Sequence, residues 1–254
     1  MRLYTIFRSA LVAALAASAN AAIQFDASFG PSLETNGDDV VSWVSTSGEA
    51  AIHPCHGATN GWTLARIAEN GVDFSGTPAG VATPLCFQDS ATGMVGRVFA
   101  VADCVAPSAL STIVDAPVPV RVSAPLFDAD GFKVEATNAL GAAYVELDGV
   151  QDGAVGAGRH VVEVAFDDPC EMRGIFIGGC PATPAWHRSW NGTIREVVLL
   201  PPGATGEELA TVRAYLAKKW DMARRPSGLA NELYVAKRLG LRVGSLYGSV
   251  LMVR

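Results

Sequence analysis

A single short amphipathic helix is predicted near the end of a chain that is otherwise patterned for strands and turns. Leu209, Val212 and Leu216 recur at helical spacing, so one face of this segment is apolar. Thr205 and Glu208 have the T-x-x-E spacing of a capping box, which fixes where the helix begins. One closing helix after many short apolar runs separated by Gly and Pro favours an all-β fold.

The strand pattern is clearest in the centre of the chain. Residues 95–104 form a near-continuous apolar run, which predicts a strand buried on both faces. Residues 23–28, 40–44 and 158–166 predict further strands, and Asp148-Gly149 indicates a tight turn. This spacing of strands and turns is typical of a β-sandwich or barrel.

Residues 1–21 have the organisation of a signal peptide. Arg2 and Arg8 precede the apolar run 10–17, and Ala19-Asn20-Ala21 fits the small-x-small rule for cleavage. The apolar run is too short for a permanent membrane span. We therefore expect an exported protein, secreted or retained at the cell surface or in the periplasm, with no transmembrane segment after cleavage.

Charge divides the remaining chain into an acidic body and a basic tail. Residues 22–222 contain 11 basic and 24 acidic side chains, whereas residues 223–254 contain 6 basic side chains and one acid. An acidic body argues against a nucleic acid partner, because phosphate binding needs a basic surface. The role of the tail stays open between packing on the acidic body and contacting acidic polymers or lipid. Its strand-prone segment 241–253 is compatible with an added edge strand or with the start of another domain.

Five cysteines are compatible with disulfides in an exported protein. Cys170 and Cys180 flank one short predicted strand, so they form the favoured local pair. Cys55 with Cys86 is the second pairing, which leaves Cys104 without a partner. The alternative is that all five are buried thiols, since Cys packs as a small hydrophobe.

Several segments contain a set of positions that recurs together, in chain order, in one known family. These positions are Val40, Trp43, Ser47, Gly48, Phe74, Gly76, Val98, Phe99, Ala100, Val101, Gly192, Ile194, Glu196, Val197, Tyr215, Leu216, Lys219 and Trp220. Through them the chain resembles the laminin-G-like domains of concanavalin A-like jelly-roll type that occur in bacterial secreted proteins. The resemblance implies a sandwich of two antiparallel sheets over residues 22–222, with the helix covering one side or end. It also implies a non-catalytic recognition module, with carbohydrate as the expected ligand.

One loop before the last predicted strand of this body is rich in groups that suit a sugar. Aromatic rings stack on the C–H face of sugars, while Arg, His and Asn side chains can bond hydroxyl groups. The alternative for Trp190 is a place in the core. The predicted ligand-binding residues are Trp186, His187, Arg188, Trp190 and Asn191.

Calcium is the cofactor that the sequence favours. Asp128 and Asp130 stand at alternate positions before Gly131, and carboxylate oxygens are ligands that Ca²⁺ prefers. The segment lacks the distant Glu of an EF-hand loop, and Asx-turn chemistry is the simpler alternative.

A catalytic function is not expected, because no complete catalytic motif is present. Some glycoside hydrolases of this fold class use an E-x-D-x-x-E strand, and the nearest string here begins with Glu146 and Asp148. Its sixth position is Gln151, which cannot act as a general acid. A structural or adhesive module that binds an extracellular protein is the alternative to carbohydrate recognition, ahead of a glycoside hydrolase.

Overall fold

The computed structural model describes the larger part of the chain between residues 22 and 253. For residues 63, 82–83, 87, 120–123, 132–136, 170, 242–246 and 249–253 it describes the backbone alone. The signal peptide prediction, residues 1–21, lies outside this part. The described residues are 22–46, 48–55, 63–75, 82–83, 85–87, 93–106, 111–115, 120–123, 132–136, 144–151, 153–172, 175–179, 189–221, 242–246 and 249–253.

Strands dominate these residues, as predicted, together with one 3-10 turn, Gly30–Ser32, and one α-helix. The strands in the first half of the chain are β1 (Ile23–Asp26), β2 (Leu33–Asn36), β3 (Asp39–Val44), β4 (Ala51–Pro54), β5 (Thr63–Leu64), β6 (Arg66–Ala68), β7 (Gly71–Asp73), β8 (Ala82–Thr83), β9 (Leu85–Phe87), β10 (Met94–Cys104), β11 (Thr112–Asp115) and β12 (Val120–Ser123). The later elements are β13 (Phe132–Ala136), β14 (Tyr144–Leu147), β15 (Val150–Gln151), β16 (Ala154–Val155), β17 (Gly158–Glu171), β18 (Phe176–Ile177), β19 (Gly192–Leu200), α1 (Gly206–Lys219), β20 (Arg242–Leu246) and β21 (Ser249–Val253).

β10 lies at the centre of the fold, antiparallel to β17 on one side and to β19 on the other. β14 extends this run of strands beyond β17, while β1 and β7 share the far edge of β19. A second run passes from β2 through β3, β4, β9, β18, β11 and β12 to β13. β6 pairs with both β7 and β3, so 17 strands form one hydrogen-bonded network. The fold is therefore all-β, as predicted.

The alternation of side chains along β10 explains how its apolar run is used. Val98, Ala100 and Ala102 face the main core, which both runs of strands contribute to. Phe99 and Val101 point the other way and belong to a smaller core beneath α1. Because successive side chains of a strand point to opposite faces, a strand covered on both sides must be apolar throughout. The predicted two-sided burial is confirmed.

α1 begins and packs as its sequence predicts. The Thr205 hydroxyl accepts a hydrogen bond from the Glu208 amide, and the Glu208 carboxylate accepts one from the Thr205 amide, so the capping box is formed. Val212 and Leu216 are buried against the sheet, and Leu209 packs at the margin of the same core. The sheet, more than helix propensity, stabilises this 14-residue segment.

The sequence also predicts a turn at Asp148-Gly149 and strand structure in the basic tail. Asp148 and Gly149 both have positive φ and join β14 to β15 as a two-residue hairpin loop, the geometry that Asp-Gly favours. In the basic tail, β20 and β21 pair with each other as a separate two-stranded sheet. The strand prediction for the tail is confirmed, and among the described strands this hairpin does not pair with the main network.

Candidate functional site

The predicted ligand loop is closed at its base by two well-anchored residues. The amide of Trp190 donates to the carbonyl of Gly178 at 3.0 Å, so the two ends of the loop meet. The Trp190 indole donates to the Asp103 carbonyl at 3.0 Å, and its ring is buried in the core. Asn191 donates its side-chain amide to the Ala106 carbonyl at 2.8 Å. We call residues 178–179 and 189–192 with residues 103–106 the loop stem.

Gly192 completes the stem by a close approach of two backbones. Its φ is +153°, and a Cβ at this position would lie 1.9 Å from the Asp103 carbonyl oxygen. A side chain therefore cannot be accommodated without moving β10 or β19. The Gly192 carbonyl also accepts the amide of Phe74, so the end of β7 joins the same edge.

The structure describes two of the five predicted ligand-binding residues, Trp190 and Asn191. Trp190 is in the core, which is the alternative that its sequence context left open, and Asn191 is partly exposed at the rim. The remaining predicted ligand residues, the calcium pair and one cysteine lie outside the described residues: Trp186, His187, Arg188, Asp128, Asp130 and Cys180. Cys170 is described by its backbone alone. Within the described ranges, no group of three or more His, Cys, Asp or Glu side chains is placed to hold a metal ion.

An ion-pair cluster lies beside the loop stem, on the face of the sheet that carries α1. The carboxylate of Asp103 accepts from Arg159 Nε at 2.8 Å and from Arg195 Nε at 2.8 Å. Burial acts to raise the pKa of Asp103, but the two guanidinium groups outweigh it and hold that pKa below its usual value. Arg195 also donates to the Glu69 carbonyl at 2.7 Å, which ties the β6–β7 turn to this cluster.

A second polar centre is buried where the C-terminal end of α1 meets β1 and β19. Glu196 is fully buried and accepts hydrogen bonds from Lys219 Nζ and from the Trp220 indole, each at 2.7 Å. Gln24 donates to the other carboxylate oxygen of Glu196. Lys219 also pairs with Asp26 at 2.6 Å, and that carboxylate is 1% exposed. We call this set of residues, together with Tyr215, the helix clasp.

Two buried carboxylates around one ammonium group give the helix clasp unusual electrostatics. Burial raises the pKa of Glu196, and the nearby Asp26 carboxylate adds to the rise against the opposing effect of Lys219. Burial likewise raises the pKa of Tyr215, whose hydroxyl accepts from Gln24 at 3.0 Å. Lys219 Nζ lies 4.7 Å from the centre of the Trp220 ring, close enough for a cation–π contact.

The helix clasp brings a residue of β19 into contact with residues at the end of α1. Glu196 on β19 and Tyr215, Lys219 and Trp220 on or after α1 all meet in one buried network. Asp26 and Gln24 complete it from β1, about 170 residues earlier, and no local pattern in the sequence predicts that contact. The arrangement fastens α1 to the sheet through two buried carboxylates paired with Lys219, whose side chain is 13% exposed.

A third carboxylate fastens the middle of α1. Arg213 donates to Glu163 on β17 through Nε at 2.7 Å and through Nη2 at 2.6 Å, a bidentate pair. Arg97 on β10 donates to the same carboxylate, which is 5% exposed. The two arginines therefore compensate a charge that would be costly to bury alone.

The string compared with glycoside hydrolases has a structural arrangement in this fold. Asp148 is a turn residue, and its carboxylate accepts from the Val161 amide at 2.8 Å and lies 2.8 Å from His160 Nδ1. Glu146 is buried on β14 and accepts from the Tyr144 hydroxyl. A carboxylate on a hairpin loop, engaged at both oxygens, does not have the strand geometry of an E-x-D-x-x-E site.

Comparison with protein-family models, with curated proteins and with solved structures finds no match to this chain. No helix within the described ranges has the length and apolarity to span a membrane. The geometry of the loop stem must therefore carry the functional inference.

Proposed function

We propose that the protein is an exported, non-catalytic recognition module that binds carbohydrate through the loop on the loop stem. The observation that carries this proposal is the hydrogen-bonded base of that loop, where Trp190 bonds to Asp103 and Gly178 and Asn191 bonds to Ala106. A loop whose ends meet on a rigid scaffold can present side chains in a fixed arrangement at low entropic cost. Trp186, His187 and Arg188 lie within the loop and would supply the contacts.

We assign different roles to the two tryptophans of the segment, Trp186 and Trp190. The Trp190 ring is buried in the core at the base of the loop, so we assign Trp186 as the aromatic group that stacks on a sugar. Asn191 donates to Ala106 through its side-chain amide, and we assign its side-chain carbonyl oxygen as an acceptor for a ligand hydroxyl.

We assign the fold to the laminin-G-like, concanavalin A-like jelly-roll class, with the two runs of strands as the two sheets of a sandwich. Support comes from the order of the matching segments, from the capped closing helix and from the helix clasp, which joins four of the matching residues. Calcium at Asp128 and Asp130, a Cys170–Cys180 disulfide and export by residues 1–21 are parts of the same proposal. Fold class alone does not assign function, so the loop carries the test.

A glycan-array screen of the chain without its predicted signal peptide tests the proposal, with calcium and with a chelator. We expect saturable binding by the wild type and its loss in Trp186→Ala, with an unchanged unfolding curve. Met94→Ala is the matched control, because Met94 is 47% exposed and lies at the opposite end of β10 from the loop stem. A calcium requirement would place the ion in the recognition function.

Two outcomes would contradict carbohydrate recognition at this loop. Binding that survives in Trp186→Ala, His187→Ala and Arg188→Ala would move the site elsewhere on the molecule. Absence of binding across polysaccharide and animal-type glycans by a folded wild type would favour the adhesive, protein-binding alternative.

A further inference from the structure

Two cysteines that are 31 positions apart in sequence lie side by side where β4 meets β9. In the antiparallel ladder His53 is opposite Cys86 and Pro54 is opposite Leu85. Since side chains alternate along a strand, Cys55 falls on the same face as His53 and Cys86. Cys55 follows the last residue of β4, so the ladder does not hold its backbone. A hydrogen bond joins the Cys55 and Cys86 thiols.

Both thiols are also accessible and chemically distinct. Cys55 and Cys86 are partly exposed, whereas Cys104 is buried at the end of β10. The hydrogen bond between the two thiols, followed by burial, raises the pKa of Cys55. The same hydrogen bond lowers the pKa of Cys86 against the opposing effect of burial. The thiolate is the reactive form of cysteine, so Cys86 is the nucleophile of the pair.

We propose that Cys55 and Cys86 are a redox-active dithiol that closes to a disulfide on meeting a low-molecular-weight disulfide. The Cys86 sulfur attacks one sulfur of the small disulfide, whose S–S bond breaks and releases one small thiol. The Cys55 sulfur then attacks Cys86 in this mixed disulfide, loses its proton and releases the second small thiol. The protein dithiol loses two electrons and two protons, which the two released thiols retain.

The position of the pair gives the bond a structural consequence. β9 is three residues long and is held by three register pairs to β4 and two to β18. A disulfide between residues 55 and 86 would close a loop of about 30 residues and add a covalent link at a weakly paired strand. Loop closure of this size predicts a rise in Tm of roughly 5–10 °C on oxidation.

Mass spectrometry of the full chain after incubation with glutathione disulfide tests the proposal. Free thiols are alkylated in the folded protein, which is then digested without reduction. We expect a cross-linked peptide pair containing Cys55 and Cys86, and its loss after treatment with dithiothreitol. The Tm should rise on oxidation in the wild type and in Cys104→Ser, but not in Cys55→Ser or Cys86→Ser.

Single-cysteine variants test whether Cys86 reacts with the small disulfide before Cys55 closes the bond. Cys55→Ser should accumulate a glutathione adduct on Cys86, while Cys86→Ser should acquire one on Cys55 much more slowly. Alkylation of both Cys55 and Cys86 in the oxidant-treated wild type, or a cross-link from either to Cys170 or Cys180, would overturn the proposal. The peptide map of the wild type decides this even if a variant fails to fold.

Discussion

The helix clasp and the loop stem are both built from Trp, Asn or Gln and charged side chains, yet they use them in opposite ways. In the helix clasp every named side chain turns inward, and Asp26 and Glu196 are almost completely buried. In the loop stem Trp190 and Asn191 bond to backbone carbonyls at the base of the loop, and Asn191 is partly exposed. Aromatic and charged residues in a sequence therefore indicate a binding site only when the structure leaves them accessible.

This difference separates stability from recognition. Changes in the helix clasp should lower the free energy of unfolding, because they leave buried charges or donors without partners. Changes at Trp186, His187 or Arg188, which we assign to ligand contacts, should reduce ligand binding and leave unfolding unaltered. Four predictions test this difference between stabilising and ligand-binding residues, in order of decreasing expected effect.

Of the changes in these four predictions, Glu196→Gln should destabilise the protein most. The substitution keeps the shape of the side chain but removes the buried carboxylate that accepts from Lys219, Trp220 and Gln24. We expect a loss of about 3 kcal/mol in the free energy of unfolding, measured with urea. The control is Glu34→Gln on the exposed face of β2, which should change stability by less than about 0.5 kcal/mol. Equal effects of the two variants would mean that the helix clasp does not stabilise the fold.

Gly192→Ala should have the next largest effect, because an added Cβ would overlap the Asp103 carbonyl. We expect a loss of about 2 kcal/mol in thermal or urea unfolding. It should also weaken any glycan binding, since the loop stem would be displaced. Gly156→Ala is the control, as a Cβ there meets nothing within 4 Å. A Gly192→Ala protein as stable as Gly156→Ala would show that the two backbones are not in close contact.

Thr205→Ala should cost about 1 kcal/mol by removing the capping box of α1. The exposed Thr35 on β2 offers a matched control, since Thr35→Ala removes the same atoms outside a helix cap. The loss should appear as a lower urea midpoint with an unchanged slope. A cost no greater than that of Thr35→Ala would show that the cap does not limit stability.

The contributions of Asp103 and Glu196 to the free energy of unfolding should change with pH in opposite directions. The pKa of Asp103 is lowered in the folded state, so its stabilisation is present above pH about 4 and is lost as the pH falls through the folded pKa. The pKa of Glu196 is raised, so its contribution falls as the pH rises from about 4 through the folded pKa. Partly exposed ion pairs contribute about 1 kcal/mol or less, so the Asp103 effect should be small.

Urea unfolding of the wild type, Asp103→Asn and Glu196→Gln between pH 3 and pH 7 measures how each stability difference changes with pH. The stability difference between wild type and Asp103→Asn should grow as the pH rises. The difference between wild type and Glu196→Gln should shrink over the upper part of the range. The same sign for both would contradict the assigned electrostatics.

Local signals in the sequence were sufficient for several elements. The Thr205–Glu208 spacing predicted the start of α1, and the Asp148-Gly149 pair predicted a turn, since both depend on residues close in sequence. The structure adds that this turn is a two-residue hairpin loop. The apolar run 95–104 likewise predicted burial of β10 on both faces, because this signal depends only on consecutive residues. Contacts between distant segments were not predictable, because no local pattern encodes which strands become neighbours.

The site illustrates that limit. Glu196 meets Gln24 and Lys219 only because β1 pairs with β19 and α1 returns over both. Trp190 was compatible with either a core position or a ligand contact, and its burial depends on β10 and β18 lying beside it. The thiols of Cys55 and Cys86 meet through the register of β4 with β9, which spacing alone did not determine.

The most direct test of the helix clasp compares urea unfolding of Lys219→Met with that of Lys218→Met. The two lysines are adjacent in the last turn of α1, but Lys219 lies between Asp26 and Glu196 whereas Lys218 is exposed. Lys219→Met should lower the free energy of unfolding by about 3–5 kcal/mol, because two buried carboxylates lose their cation. Lys218→Met should lower it by less than about 1 kcal/mol. Equal small losses in both variants would contradict a structural role for this network and reopen Glu196 and Lys219 as a functional site.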